Sequence, residues 1–192
     1  KLNEINVPAM RWFNRLRDFP RPTIASVNGW CFGGGFIPLA ACDLAIASEK
    51  AMFALSEVNM AFFPGGGTTW AVAYSLLPKP ALYLILTGDR IDGTEAARIG
   101  LVSKCVPHEK LAGETWDLAL KLKKRNPVAL RLAKEVYKRS RWMELPESID
   151  WEMAKMHELS YLTNAEWIDI ALTQFKHREY KPGLEAYKRE KQ

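Results

Sequence analysis

Two short stretches of this sequence carry groups whose types and spacing suit proton transfer beside a stabilised anion. Glu57 directly follows the apolar run Met52-Phe53-Ala54-Leu55 and precedes Val58, so it is a carboxylate at a strand end with little polar company along the chain. Burial disfavours the charged form of a carboxyl group, and a carboxyl group withdrawn from water can exchange protons near neutral pH. Gly33-Gly34-Gly35 stands between an apolar run and the segment Phe36-Ile37-Pro38-Leu39-Ala40-Ala41. It sets several backbone N–H groups, unscreened by side chains, at the start of a helix, where free donors and the positive dipole end favour an anion. Ordinary roles compete with both readings. Three glycines also suit a tight turn with positive φ, and most glutamates are simply solvated.

The remaining polar residues offer less. Asp43, in Ala41-Cys42-Asp43-Leu44, reads as a helix-end or turn-bonding residue. His108, His157 and His177 share no spacing, and no Ser–His–Asp or Cys–His pairing and no metal-ligand cluster suggests itself. Cys31, Cys42 and Cys105 are odd in number, lie in apolar surroundings and lack C-x-x-C spacing, which speaks against a disulfide framework or zinc and fits a reducing cytoplasm. Arg131, Lys134, Lys138 and Arg141 make a basic stripe on one helix face, read first as a solvated face and second as a contact for phosphates or RNA.

The elements that must position Glu57 and the glycines can be read from periodicity and punctuation. Apolar Val7, Met10, Phe13 and Leu16 predict an amphipathic helix over 6–18, ended by Phe19-Pro20-Arg21-Pro22. Residues 23–27, 44–47 and 52–55 predict short strands, and a strand, a glycine turn and a helix are expected up to Ala41. Helices are predicted at 68–77 and about 80–88, then from a capping box at Asp92 and Glu95 to Gly100, with a strand over 101–106. Strands alternating with helices over 23–106 indicate an α/β fold with crossover connections. From about 109 the pattern is helical, with Asn126-Pro127 opening a helix over 127–141 and further helices at 146–162 and 165–177, ending near Pro182-Gly183. A boundary near 109 thus divides an α/β part, 1–108, from a helical part, 109–192.

The bulk properties fit a globular protein. The 192 residues are 48% hydrophobic and 26% charged with both signs interspersed, enough for a core and unlike a disordered chain. No apolar stretch approaches the roughly 20 residues that cross a bilayer, so no membrane partner is expected. The net charge of +5 is weakly favourable to polyanions, including nucleotide phosphates. Lys1-Leu2-Asn3-Glu4 shows neither an initiator Met nor the apolar run of a signal peptide, and the chain is expected to begin inside a longer protein.

Several motifs follow one another as in the crotonase (enoyl-CoA hydratase/isomerase) superfamily. They are Pro22-Thr-Ile-Ala-Ser-Val-Asn-Gly29, the Gly33-Gly34-Gly35 turn, Ala41-Cys42-Asp43-Leu-Ala-Ile-Ala47, Phe53-Ala-Leu-Ser-Glu57, and Leu86-Thr-Gly88 through Ala96 to Gly100-Leu-Val102. Within it, Asn28-Gly-Trp-Cys-Phe-Gly-Gly-Gly-Phe36, Leu55-Ser-Glu-Val-Asn59 and Lys181-Pro-Gly-Leu-Glu-Ala-Tyr187 most resemble the hydroxycinnamoyl-CoA hydratase-lyases. The resemblance implies a ββα spiral core whose first turns precede Lys1, and a helical C-terminal part that builds homotrimers and hexamers made of two trimers. It implies that Glu57 is the catalytic acid/base, and that the amide of Gly34 forms half of an oxyanion hole whose other donor lies in the N-terminal segment. Gly35, Phe36, Ile37, Ser56, Met60 and Gly65, with Trp151 and Met153, are then expected to bind the substrate. Simple hydratases carry a second glutamate, and hydratase-lyases a serine, where this chain has Ile37. Met153 falls where the hydratase-lyases place a tyrosine for the phenolic ring.

The function so implied is hydration of an aromatic enoyl-CoA, such as feruloyl-CoA or p-coumaroyl-CoA, followed by retro-aldol cleavage to an aromatic aldehyde such as vanillin and acetyl-CoA. One carboxylate and one oxyanion hole cover every proton and charge, so no metal and no cofactor beyond the CoA moiety of the substrate is expected. Hydration of other acyl groups and Δ3,Δ2-enoyl-CoA isomerisation are the nearest alternatives, since an apolar residue at 37 leaves one base. An RNA-binding relative and a catalytically silent scaffold are alternatives of other classes. The basic stripe lacks aromatic interleaving, so no specific nucleic acid is expected.

Overall fold

Apolar runs bracketed by turn residues become strands in the computed structural model, which describes residues 2–181, 183, 186 and 187, and for residues 2–9 the backbone alone. The opening helix is α1 (Leu2–Arg17). The chain then runs through β1 (Ile24–Val27), β2 (Trp30–Phe32), a 3-10 turn at Gly33–Gly35, α2 (Phe36–Ala41), β3 (Leu44–Ser48) and β4 (Met52–Ala54). A 3-10 turn at Ser56–Met60 leads to α3 (Thr68–Ser75), α4 (Pro78–Thr87), β5 (Ile91–Asp92), α5 (Gly93–Arg98) and β6 (Lys104–Val106). After another at His108–Lys110 come α6 (Leu111–Lys123), α7 (Pro127–Ser140), α8 (Leu145–Leu162), the π-helical Trp167–Leu172 and α9 (Thr173–Lys176). Lys1, Pro182, Leu184 and Glu185, which figured in the sequence reading, lie outside the described residues.

The strands form two small sheets. In the first, β3 lies between β1 and β6, all parallel, with Ile24 opposite Leu44 and Ile46 opposite Lys104. In the second, β2 and β4 are parallel with Phe32 opposite Ala54, and β5 closes the far side antiparallel, with Ile91 opposite Phe53. Phe36, Phe53, Leu55, Val72 and Leu84 fill the core, each at most 1% exposed, and the rings of Phe36 and Phe53 meet edge to face at 6.3 Å. Burying a large apolar side chain contributes about 2 kcal/mol, so this cluster anchors the ends of β2 and β4 firmly.

Two expectations need correction. The strand expected over 101–106 forms only at Lys104–Val106, because the N–H groups of Leu101 and Val102 both bond back to the carbonyl of Ala96 and finish α5. Those amides are therefore unavailable to a sheet, although Leu101 and Val102 are buried. The helix expected over 165–177 winds as a π-helix from Trp167 to Leu172, after Asn164 and Ala165 in left-handed backbone, and becomes α-helical only at α9. By contrast, Asp92 caps α5 as its motif predicts, its Oδ1 accepting from Glu95 N–H at 2.8 Å. Asp43 is the turn residue it was read as, accepting from the N–H and the hydroxyl of Thr23 at 2.8 and 3.0 Å.

The chain divides into two compact units, Lys1–Ala119 and Leu120–Gln192. Helices take over near residue 109, but Leu111 is buried against Ile46 and Val106, so the start of α6 belongs to the first unit. In the second unit, Asn126 opens α7, its Oδ1 accepting from the N–H of Val128 and Ala129. Arg131, the first cation of the basic stripe, pairs with Glu158 at 3.0 Å and Glu135 at 3.8 Å, and Lys155 bridges the same two carboxylates. That cation is committed to a ring of alternating charges between α7 and α8. No helix among the described residues is long and apolar enough to cross a membrane.

Candidate functional site

Parallel pairing of β2 and β4 decides the geometry here. Because Phe32 is level with Ala54, the two strands end side by side, one running into Gly33 and the other, through Leu55, into the turn that carries Glu57. Strands in parallel deliver their following loops to the same edge, which is where α/β sheets gather ligand-binding groups.

Glu57 reaches directly over the glycine turn. Its Oε1 lies 2.7 Å from where a β-carbon on Gly33 would stand, closer than any real side chain could tolerate. Gly33 also has φ +49°, in the left-handed region, so two independent constraints call for glycine at this position. The other carboxyl oxygen, Oε2, is shielded from solvent and has no hydrogen-bond partner among the described residues. Buried polar atoms are paired in nearly all folded proteins, so an unpaired carboxylate oxygen marks a place where the chain gives up stability for something else.

The glycines supply the complementary half. The N–H of Phe36 bonds back to the carbonyls of Gly33 and Gly34, starting a helical run whose first amides have no acceptor within it. Gly34 is exposed, and no atom lies within 4 Å of its β position, so the turn is open to solvent there. A buried carboxylate oxygen and an exposed glycine amide thus stand on neighbouring strand ends, an arrangement suited to chemistry next to a thioester carbonyl.

Ile37 is half-buried, with Cδ1 3.9 Å from the β position of Gly67. The segment Phe62–Gly67 therefore runs beside it. Its backbone is held by a bond from the Thr69 hydroxyl to the Pro64 carbonyl and from Thr68 N–H to the Gly65 carbonyl. Phe62 and Phe63 stack at 5.0 Å and are 57% and 66% exposed, with Met60 at 72%. Phe62, Phe63 and Gly67 are not among the expected substrate-binding residues, which take only Gly65 from this segment. The adjacent glycines and aromatics were the available signal.

Of the other expected substrate-binding residues, Ser56 opens the turn bearing Glu57, and Gly35 lies at the end of the glycine turn. Phe36 is placed differently from the others: its ring is 1% exposed in the core and its N–H is already bonded, so it anchors the turn. Trp151 and Met153 belong to α8 in the second unit. Trp151 holds Lys155 Nζ 4.5 Å from its ring centroid and the Arg139 guanidinium at 5.2 Å, while Met153 is 47% exposed. Among the described residues, no cluster of His, Cys, Asp and Glu could hold a metal.

Cys31 stands just behind the glycine turn, 7% exposed, with Sγ 3.4 Å from the β position of Gly35. Burial pushes its thiol up to about 11. Cys31 is thus expected to resist alkylation at pH 8 in the folded protein and to react on unfolding, as mass spectrometry after iodoacetamide treatment would show. Fast labelling of Cys31 in the native protein would contradict the buried environment. Since this pKa is raised on folding, the associated stability is complete below about pH 9 and is lost as the pH rises toward 11.

Comparison with known proteins gives concordant results. A family model described as enoyl-CoA hydratase/isomerase matches residues 4–182. Hydroxycinnamoyl-CoA hydratase-lyase of Pseudomonas fluorescens is 42% identical over 188 residues, covering 97% of this chain and 68% of that protein. 2,3-Dehydroadipyl-CoA hydratase of Escherichia coli is 33% identical over 138 residues, 72% of this chain but 54% of its own length. The crystal structure of an enoyl-CoA hydratase subunit from Geobacillus kaustophilus superposes with a TM-score of 0.78 at 35% identity, over 90% of this chain and 66% of that one. The chain spans 54% to 68% of the length of these relatives.

Proposed function

Since the chain belongs to the enoyl-CoA hydratase/isomerase family and has its crotonase fold, we propose that Glu57 and the Gly34 amide act together on an α,β-unsaturated acyl-CoA. The observation that carries this reading is the Glu57 carboxylate lying over Gly33, with one oxygen buried and unpaired.

In the proposed reaction Glu57 accepts a proton from water as its oxygen adds to Cβ. The charge that moves onto the thioester oxygen is held by the Gly34 N–H, and the protonated Glu57 then delivers its proton to Cα. For a β-aryl substrate the same groups run one step further. Glu57 takes the proton of the β-hydroxyl, the Cα–Cβ bond breaks, an aromatic aldehyde leaves, and the acetyl-CoA enolate collects a proton at Cα. The 42% identity to a hydroxycinnamoyl-CoA hydratase-lyase supports a hydroxycinnamoyl-CoA substrate, and the apolar company of Ile37, Phe62 and Phe63 suits an aromatic acyl group. Exposed Trp30, Leu77 and Leu86, each more than two thirds accessible, support assembly into a homotrimer or a dimer of trimers. The absence of a disulfide among the described cysteines Cys31, Cys42 and Cys105 suits a reducing cytoplasm.

Incubating the protein with feruloyl-CoA and with crotonyl-CoA, then identifying products by mass spectrometry, tests the proposal. Vanillin with acetyl-CoA is expected. A hydrated product without cleavage, or a shifted double bond, would reduce it to simple hydration or isomerisation, and no turnover of either ester would overturn it. Ile37 sets the balance, because an aliphatic side chain shapes a dry wall but cannot hold water or a β-hydroxyl. Ile37→Ser is expected to preserve or raise feruloyl-CoA cleavage, and Ile37→Glu to raise hydration of crotonyl-CoA. If either change abolishes CoA-ester binding in a folded protein, Ile37 is a packing residue and not a wall of the site.

A further inference from the structure

The turn that carries Glu57 has a support on the side away from the glycines. It is a short 3-10 turn, Ser56–Met60, closed by Ala61 in left-handed backbone, with the Ala61 N–H bonded to the carbonyl of Val58 and the Phe62 N–H to that of Glu57. Against it stands the end of α4. Gly88 there has φ +68°, and a β-carbon on it would lie 3.0 Å from Val58 Cγ2, Asn59 Nδ2 and Asn59 Oδ1 together. The α4 end is held in place by its own hydrogen bonds. Gly88 N–H bonds to the carbonyl of Leu84, the Thr87 hydroxyl donates to that of Tyr83 and accepts from Asp89 N–H, and the Tyr83 hydroxyl donates to Asp89.

We infer that Gly88 is a positioning residue for Glu57: the bare backbone at the end of α4 is the surface against which Val58 and Asn59 seat, and this seating fixes where the Glu57 carboxylate projects. The inference rests on Glu57 being the acid/base proposed above. The tolerance is small on both sides. Oε1 stands only 2.7 Å from the β position of Gly33, and a β-carbon on Gly88 would crowd the side chains of Val58 and Asn59 in the same turn. A methyl group on Gly88 must push Val58 and Asn59 by a few tenths of an ångström, and a turn this tight passes the displacement to Glu57. Misplacing a catalytic group by about 1 Å can cost a hundredfold in rate, so a fraction of that should cost about tenfold.

Gly88→Ala also strains left-handed backbone, and strain by itself could lower activity through stability. Gly100 supplies the control. It has φ +84° and nothing within 4 Å of its β position, so Gly100→Ala carries comparable strain without the push. The experiment measures kcat and KM for the ester turned over by wild type, thermal stability, and the carboxyl 13C resonance of Glu57, assigned by its loss in Glu57→Gln. Both alanine variants are expected to lose similar stability. Gly88→Ala alone should lower kcat about tenfold, leave KM within a few fold and move the Glu57 resonance. Adding Asn59→Ala to Gly88→Ala removes two of the three crowded atoms while leaving Val58 seated, and should restore part of kcat. Equal kcat in the two single variants, or an unmoved resonance, overturns the inference. If wild type turns over no acyl-CoA ester, the functional reading fails while the resonance still decides whether Gly88 positions the carboxylate.

Discussion

Glu57→Gln is expected to reduce turnover of the enoyl-CoA substrate by roughly a hundredfold or more while binding of the CoA ester stays within a few fold. The amide keeps the shape of the side chain and its place over Gly33, but it can neither accept a proton from water nor return one to Cα. The loss should therefore fall on kcat. Steady-state kinetics with isothermal titration of a non-reactive CoA thioester separates the two. The folded state should tolerate the change well, because the substitution removes a buried carboxylate oxygen that has no protein partner among the described residues. A melting temperature equal to or above that of wild type is the expected companion result. Near-normal turnover in this variant would rule out Glu57 as the acid/base.

Gly33→Ala should abolish most activity by a different route. The new methyl group would stand 2.7 Å from Glu57 Oε1, and a carboxylate at the end of a flexible side chain yields more readily than backbone does. Glu57 is thus expected to swing away from the glycine turn. The cost in stability should be modest, about 1 to 2 kcal/mol for alanine in left-handed backbone, or a melting temperature lower by several degrees. The cost in kcat should be about a hundredfold. Melting and kinetics measured on the same preparation check both figures. A folded Gly33→Ala protein with undiminished kcat would show that the carboxylate does not work where the structure holds it.

What could be read from the residues alone was mostly local. β1 and β4 fell inside the predicted runs and β3 exceeded its run only by Ser48, because each is a short apolar segment between turn residues, and Asn126 caps α7 because an asparagine before proline is a strong start signal. The division between strands alternating with helices and helices alone was also visible. Leu101 and Val102 are not in the strand because, although an apolar run after a helix-ending glycine looks like one, capping bonds to Ala96 use up their amides first. Gly33 and Glu57 were each legible as chemistry. That they meet was not, since it depends on the register of β2 against β4, a pairing between segments with no local mark of their partner. Phe36 shows the limit of apolar patterning, since neighbouring hydrophobic residues at the start of a helix can face a ligand or the core. Only packing against Phe53 separated Phe36 from Ile37.

The all-parallel arrangement of β1, β3 and β6 also constrains how the chain can fold in time. Thr23 and Asp43, which tie the entries of β1 and β3, are 20 residues apart, and Ala45 and Ser103, which tie β3 to the approach of β6, are 58 apart. Each closure must spend chain entropy before the contacts beyond it can form, and parallel pairing of distant segments is among the slower steps in folding. During synthesis β3 acquires β1 early but waits for more than fifty further residues before its second edge is covered, so nascent chains pass through a stage with an open apolar strand edge. The same wiring means that a ribosome stalled before Lys104 would release a fragment with that edge unprotected, a species prone to join its neighbours.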